Sequence, residues 1–378
     1  MYGDDAWVDE LRCPIPARIC PYADEVQDWL GDWAERVGGP LDPEARVRLA
    51  RGGVARYAGR LYPDATEADL QVLAALFTWF FLLDDACDAA RRPRPAEVAA
   101  LCDGVLRLLR TQPVTAAGTR SAHQPPAIPG TRSPNRPAAR LTSPPATRSA
   151  NQPAPRPEVF DGPLRRMLAD AWQIPYHRMA APWRDRFVDA VAHHLRGVVV
   201  EATNKATGRL PTVAEYVALR RATSAAYVSY ALIEFATGRP VPDAVYHHPA
   251  VREVAATAND LLSWFNDLLS LDRDAATSGG HNLVLAVARE NGIPVEEAIP
   301  VVVRRWQGSM RRFVELRDAV PSFGPALDGP LREYLAGVAN SVRGTMDWSM
   351  ESGRYRATLR ATPPPGAVVR AEKLPGSA

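Results

Sequence analysis

Phe80-Phe81-Leu82-Leu83-Asp84-Asp85-Ala86-Cys87-Asp88 sets two carboxylates, Asp84 and Asp88, one helical turn apart at the end of a run too apolar to face water. Side chains at i and i+4 share a helix face, so two hard oxygen donors converge there, while Asp85 is turned about 100° away. Taken alone, such a pair is more often a solvated surface feature than a ligand set, but the apolar run beneath it points to a divalent cation.

A second stretch carries that reading further. In Trp264-Phe265-Asn266-Asp267-Leu268-Leu269-Ser270-Leu271-Asp272-Arg273-Asp274, the residues Asn266, Ser270 and Asp274 recur every four positions along a helical pattern. The spacing predicts an amide oxygen, a hydroxyl and a carboxylate on one face. Such a set suits Mg²⁺, which prefers oxygen donors, keeps several waters and commonly shares its sphere with a substrate phosphate. A polar helix stripe of ordinary composition is the plainer reading of this segment by itself.

Together the two stretches resemble those of the bacterial class I terpene cyclases, in which an aspartate-rich motif and an NSE triad clamp three Mg²⁺ ions around a substrate diphosphate. Two further matches follow in the family's order, over roughly residues 10 to 358. Arg220, in Glu215-Tyr216-Val217-Ala218-Leu219-Arg220-Arg221, resembles the diphosphate-sensing arginine, with Arg221 as the alternative, and Arg354-Tyr355, after Trp348, resembles the C-terminal RY pair. The resemblance implies an all-α, single-domain helical bundle around a central cavity. It implies Asp84, Asp88, Asn266, Ser270 and Asp274 as metal ligands, and Arg220, Arg273, Arg354 and Tyr355 as diphosphate contacts. Arg220, Arg354 and Tyr355 are the expected catalytic residues. A break in the Arg220 helix is expected at Thr223-Ser224-Ala225, with Thr223 and Ser224 on the cavity wall beside the aromatic rings of Phe80, Phe81, Phe265 and Trp348. The chain departs from the pattern at Asp274, which stands where the family carries glutamate and is shorter by one carbon.

The implied reaction is Mg²⁺-dependent ionisation of an isoprenyl diphosphate, followed by cyclisation and release of diphosphate. Farnesyl diphosphate, giving a sesquiterpene, is the first expectation. Small residues near the Arg220 helix, Ser224, Ala225, Ala226 and Ser229, keep geranylgeranyl diphosphate open, and an inactive diphosphate-binding or scaffold protein is a further alternative. Chain elongation would need a second aspartate-rich motif where this sequence has Asn266-Asp267-Leu268-Leu269-Ser270.

Composition narrows the partners. The 378 residues are 46% hydrophobic, and 45 basic against 43 acidic side chains leave a formal charge of +2, so no polyanion partner is expected. Without a basic stripe or a recognition motif, nucleic-acid binding has no support. Met1-Tyr2-Gly3-Asp4-Asp5-Ala6 lacks the order of a signal peptide, and the longest apolar run, Val72 to Leu83, is too short to span a bilayer. A cytoplasmic protein is expected, its oligomeric state open between monomer and homodimer. Cys13, Cys20, Cys87 and Cys102 have neither disulfide nor zinc spacing and read as reduced thiols.

Residues 111 to 157 interrupt the helical pattern with eleven prolines, no acidic residue and a repeated phrase, Thr119-Arg120-Ser121-Ala122-His123-Gln124-Pro125 and Thr147-Arg148-Ser149-Ala150-Asn151-Gln152-Pro153. Proline removes backbone donors and the segment is poor in apolar surface, which predicts a disordered insertion. Residues 361 to 378 read as a disordered tail. The helical domain is thus expected over 1–110 and 158–360. Within it, Thr66-Glu67 opens the first motif helix, Thr212-Val213-Ala214-Glu215 is a capping box, Gly238 closes the Arg220 helix, Pro294 fits the first turn of another, and Leu331 to Gly353 forms the last.

Overall fold

The computed structural model describes residues 5–40, 43–88, 94–111, 160–276 and 280–352. The proline-rich insertion and the tail, including Arg354 and Tyr355, lie outside the described residues, as does the Asp88 side chain.

Among the described residues the ordered elements are all helical. A short 3-10 turn, Asp5–Glu10, precedes α1 (Ala23–Gly38), α2 (Pro43–Gly52), α3 (Val54–Leu61), α4 (Glu67–Asp88) and α5 (Pro95–Arg110). Beyond the insertion come α6 (Pro163–Arg178), α7 (Ala181–Thr207), α8 (Val213–Thr223), α9 (Ala226–Thr237) and α10 (Asp243–Tyr246). The chain continues with α11 (Pro249–Leu269), α12 (Leu271–Ala276), α13 (Leu283–Asn291), α14 (Val295–Asp318) and α15 (Pro325–Glu351). The all-α bundle expected from the sequence is therefore the observed architecture.

Local chemistry accounts for the helix ends that matter to the site. The Thr66 hydroxyl accepts from the Asp69 amide at 3.2 Å and caps α4. The α8 capping box is complete: Thr212 Oγ1 accepts from Glu215 N at 3.3 Å, and Glu215 accepts in return from Thr212 N at 2.9 Å. Two boundaries differ from the sequence reading. Pro294 is the residue capping α14 rather than lying in its first turn, and α15 begins at Pro325, six residues before Leu331, with Pro330 tolerated inside its first turns.

Aromatic residues fill the core around α6 and α7. The Trp172 and Phe187 rings stack at 4.9 Å and those of Trp183 and Phe187 at 5.3 Å. Such offset stacks add about 0.5–1.5 kcal/mol each beyond simple burial. A buried ion pair, Arg186 Nη2 to Glu234 Oε1 at 2.7 Å, ties α7 to α9, and Arg186 also bonds Asp243 at the start of α10. The Trp79 indole N–H donates to Leu164 O at 2.8 Å and fixes α4 against α6. These ties fix α4, α7 and α9, which with α8, α11 and α15 contribute walls to one hollow.

Candidate active site

The Arg220 helix breaks where the sequence predicts. α8 stops at Thr223, Ser224 caps it, and Ala225 takes a left-handed backbone (φ 57°) before α9 restarts. That conformation costs an L-residue roughly 1–2 kcal/mol and is held here by the surrounding bonds. Ser224 Oγ donates to Asn259 Oδ1 at 2.8 Å, and Asn259 Nδ2 donates to Arg221 O at 2.8 Å. Gly197 on α7 lets the break come close: a β-carbon there would stand 2.7 Å from Ala222 Cβ and 3.2 Å from the Thr223 amide nitrogen.

The break opens onto a cavity of about 710 Å³, within the roughly 300–1,000 Å³ range of small-molecule sites. Its lining sorts by chemistry. Asp84, Asn266, Asp267, Asp274, Glu201, Lys205, Arg220, Arg273 and His281 supply charged and polar groups, and Tyr57, Leu61, Phe77, Phe80, Phe81 and Trp348 supply aromatic and apolar surface. Thr223 and Ser224 line it too. The structure thus gathers around one hollow, from α4, α8, α11, α12 and α15, most of the residues singled out in the sequence.

Phe265 is a correction. It is 1% exposed and borders a separate crevice with Val8, Leu11, Arg343 and Met346, not the cavity. One residue along a helix is a turn of about 100°, so the neighbour that puts Asn266 on the cavity face puts Phe265 on the packed one.

Arg220 and Arg221 are told apart by their partners. Arg221 makes a two-pronged pair with Asp260, Nε to Oδ1 at 2.7 Å and Nη2 to Oδ2 at 2.6 Å, and is turned away from the cavity lining. Arg220 donates through Nε to Asp267 Oδ1 at 3.0 Å and through Nη2 to Asn266 Oδ1 at 2.8 Å. Burial disfavours its charge, but the Asp267 carboxylate, with Tyr216 and Glu201, overrides that and holds the guanidinium protonated well above its ordinary value. Asp267 is 2% exposed and also accepts from the Tyr216 hydroxyl at 2.7 Å and the Leu283 amide at 3.1 Å.

The NSE stretch is not one unbroken helix. α11 ends at Leu269, Ser270 caps it, and α12 follows, although the ladder bridges the joint through Ser270 N to Asn266 O and Asp274 N to Ser270 O, both 2.9 Å. Asn266 and Asp274 reach the cavity; Ser270, 2% exposed, lies beneath it and donates to Asp274 Oδ2 at 2.6 Å. Asn282 Nδ2 donates to the same oxygen at 3.0 Å. The shorter acid at 274 is therefore clasped from two sides.

The donors fit a hard divalent cation, because every candidate ligand atom is an oxygen. Among the described residues no cluster of three His, Cys, Asp or Glu side chains could hold an ion unaided. Asp84 and the Asn266–Asp274 pair sit on different helices, an arrangement that suits ions shared with a phosphate ligand rather than a closed protein cage. Sequence reasoning missed Asp267, Tyr216, Asn282, Glu201, Lys205, His194 and His281; only the capping pattern around Tyr216 hinted at any of them.

A family model described as terpene synthase family 2, C-terminal metal binding, matches residues 75–312. The chain belongs to this family. Terpene synthases of several bacteria align over nearly its full length. The germacrene A synthase of Nostoc punctiforme is 24% identical over 91% of this chain and 94% of its own. The (+)-T-muurolol synthase of Roseiflexus castenholzii, described as cyclizing (2E,6E)-farnesyl diphosphate, is 27% identical over 95% and 97%. Among solved structures, an α-eudesmol synthase superposes with a TM-score of 0.72 at 20% identity, covering 90% of this chain and 99% of that one, which supports the shared fold. This terpene synthase is an enzyme of the lyase type, and among the described residues no helix is long and apolar enough to cross a membrane.

Proposed function

We propose that the protein is a class I terpene cyclase that ionises farnesyl diphosphate with the help of Mg²⁺ and closes the farnesyl cation into a sesquiterpene. The observation that carries this reading is the meeting of Asp84, Asn266, Asp274 and Arg220 around one cavity that Leu61, Phe77, Phe80, Phe81 and Trp348 also line. The farnesyl-cyclising relative supports the substrate.

In this reading Asp84, Asp88, Asn266, Ser270 and Asp274 hold the metal. Bound there, Mg²⁺ supplies Lewis-acid neutralisation of the departing diphosphate. Arg220, charged and pre-oriented by Asp267, binds diphosphate oxygens, with Arg273 at the exposed rim and Arg354 and Tyr355 as further contacts. Donors already aimed in a water-poor site stabilise separating charge more than water does, because nothing must reorganise as the bond breaks. The rings of Phe77, Phe81, Tyr57 and Trp348 then face the cation, each worth about 0.5–2 kcal/mol to it. Tyr57 and Trp348 stack at 4.3 Å, so their faces are fixed before the substrate arrives.

Ser224, Ala225, Ala226 and Ser229 all line the cavity and leave space beside the break, which keeps geranylgeranyl diphosphate as the second reading. Incubating the purified protein with Mg²⁺ and each diphosphate, then analysing the extract by gas chromatography with mass detection, separates them. A cyclic fifteen-carbon product is expected. Turnover of the twenty-carbon substrate alone favours the second reading, and no product from either leaves only diphosphate binding or a scaffold role.

A further inference from the structure

We propose that His194 is the base that ends the cyclisation, its Nε2 taking a proton from the last carbocation. The inference rests on the terpene cyclase reading above and extends it to a residue for which no motif speaks.

His194 is buried on α7 and lines the cavity. Its Nδ1 lies 3.1 Å from the carbonyl oxygen of Ala222. A carbonyl can only accept, so Nδ1 carries the hydrogen, and in the neutral ring the lone pair must be on Nε2. The ring therefore enters the cavity wall with its tautomer fixed and one basic nitrogen remaining. Two rulers place it. The cavity face of α7 runs through Lys205, Ala202, Glu201, Val198 and His194, and the seven residues from Glu201 to His194 descend about 10 Å at 1.5 Å per residue. On the facing wall, Phe80 is one turn, about 6 Å, below Asp84, and its ring centroid is 6.0 Å from that of His194. His194 thus faces the hydrocarbon part of a bound substrate, not its diphosphate.

Three carboxylates of the lining are held by neighbours: Glu201 by Lys205 at 2.8 Å, Asp267 by Arg220, and Asp274 by Ser270 and Asn282. Burial, partly relieved by the bond to Ala222, lowers His194 to about 4, with Glu201, His193 and Arg220 as the neighbouring charges. The ring is consequently neutral at ordinary pH. So weak a base suffices, because a proton beside a cationic carbon is far more acidic than an imidazolium. In the step, a C–H bond next to the cationic carbon breaks, its electron pair becomes the new C=C π bond, and the proton joins the Nε2 lone pair. The imidazolium then passes the proton to water or to the released diphosphate, and the ring is restored.

Two variants test this with farnesyl diphosphate and Mg²⁺. His194→Asn keeps an N–H donor where Nδ1 stands but has no base, and His194→Phe keeps the aromatic contact with Phe80. We expect the main hydrocarbon, as a share of the products formed from the substrate consumed, to fall at least about tenfold in both variants in favour of alcohols or isomeric alkenes. An unaltered product profile in either folded variant overturns the proposal. So does a profile restored by His194→Asn and lost only in His194→Phe, which would make His194 a positioning residue. An alcohol as the main product of the unchanged protein overturns it as well. Absence of any turnover by the unchanged protein overturns the cyclase reading along with it, so the two failures are distinguishable.

Discussion

Arg220 meets Asp267 across the α8–α11 contact, Nε to Oδ1 at 3.0 Å, with the carboxylate 2% exposed. The pair fixes a guanidinium at the cavity wall, and its acid partner sits one residue past Asn266. Removing one member of a buried pair strands the other's charge. Asp267→Asn should therefore lower unfolding free energy by about 3 kcal/mol, read from urea denaturation. It should also lower turnover by misplacing Arg220, and a variant with unchanged denaturation midpoint would contradict the role given to the pair.

Asp84 is an exposed side chain at the cavity, so Asp84→Asn should leave the helical circular dichroism and melting temperature close to those of the parent. Product formation should fall by about a hundredfold or more, since a metal ligand is lost and no packing is disturbed. Full activity would remove Asp84 from the metal site.

Gly197→Ala probes the close approach of α7 to the helix break. The added carbon would collide with Ala222 Cβ and crowd the Thr223 backbone. Overpacking of this kind costs about 1–3 kcal/mol. Because the displaced atoms belong to the break itself, activity should fall more than stability alone explains, as measured by kcat at temperatures well below the melting transition.

Trp348 has two duties, stacking on Tyr57 and donating through Nε1 to Gly52 O at 2.8 Å. Trp348→Ala should cost about 3–5 kcal/mol in stability and change the product mixture. Trp348→Phe, which loses the hydrogen bond and keeps a ring, should cost about 1 kcal/mol and preserve more of the profile. Identical products from all three proteins would reduce Trp348 to packing.

Glu201 gives a pH signature. Burial raises its carboxyl, but Lys205, His281 and Arg220 outweigh burial and hold it below the ordinary 4.5. A depressed carboxyl contributes stability that is present above its unfolded value and lost as pH falls through the folded one. The stability gap between the parent and Glu201→Gln should therefore close as pH drops below about 4.5, in denaturation series run at several pH values.

Much of this site is legible as a sequence because its residues lie on helices whose periodicity is explicit. Asp84, Asn266 and Asp274 follow from four-residue spacing, and the Thr212–Glu215 box fixes where α8 starts. What the sequence hides is anything set by a partner distant along the chain. Asp267 and Asp272 look alike as acids on a polar stretch, and only the approach of α8 makes the first a counter-ion. Arg220 and Arg221 are equivalent until Asp260 claims the second. Phe265 misleads because an aromatic beside a motif residue points a third of a turn away. His194 carries no motif, and its value comes entirely from the carbonyl of Ala222.

Two walls of the hollow that pack against each other differ in build. Between α8 and α9 there is a joint at Ser224 and Ala225, whereas α7 runs for 27 residues, Ala181–Thr207, without one. An unbroken helix is a post whose side chains keep a fixed spacing of about 1.5 Å per residue along the cavity, so it sets the mould in which the hydrocarbon folds. Re-shaping the enzyme for other ring systems should accordingly begin at Val198 and Ala202, which stand on the post.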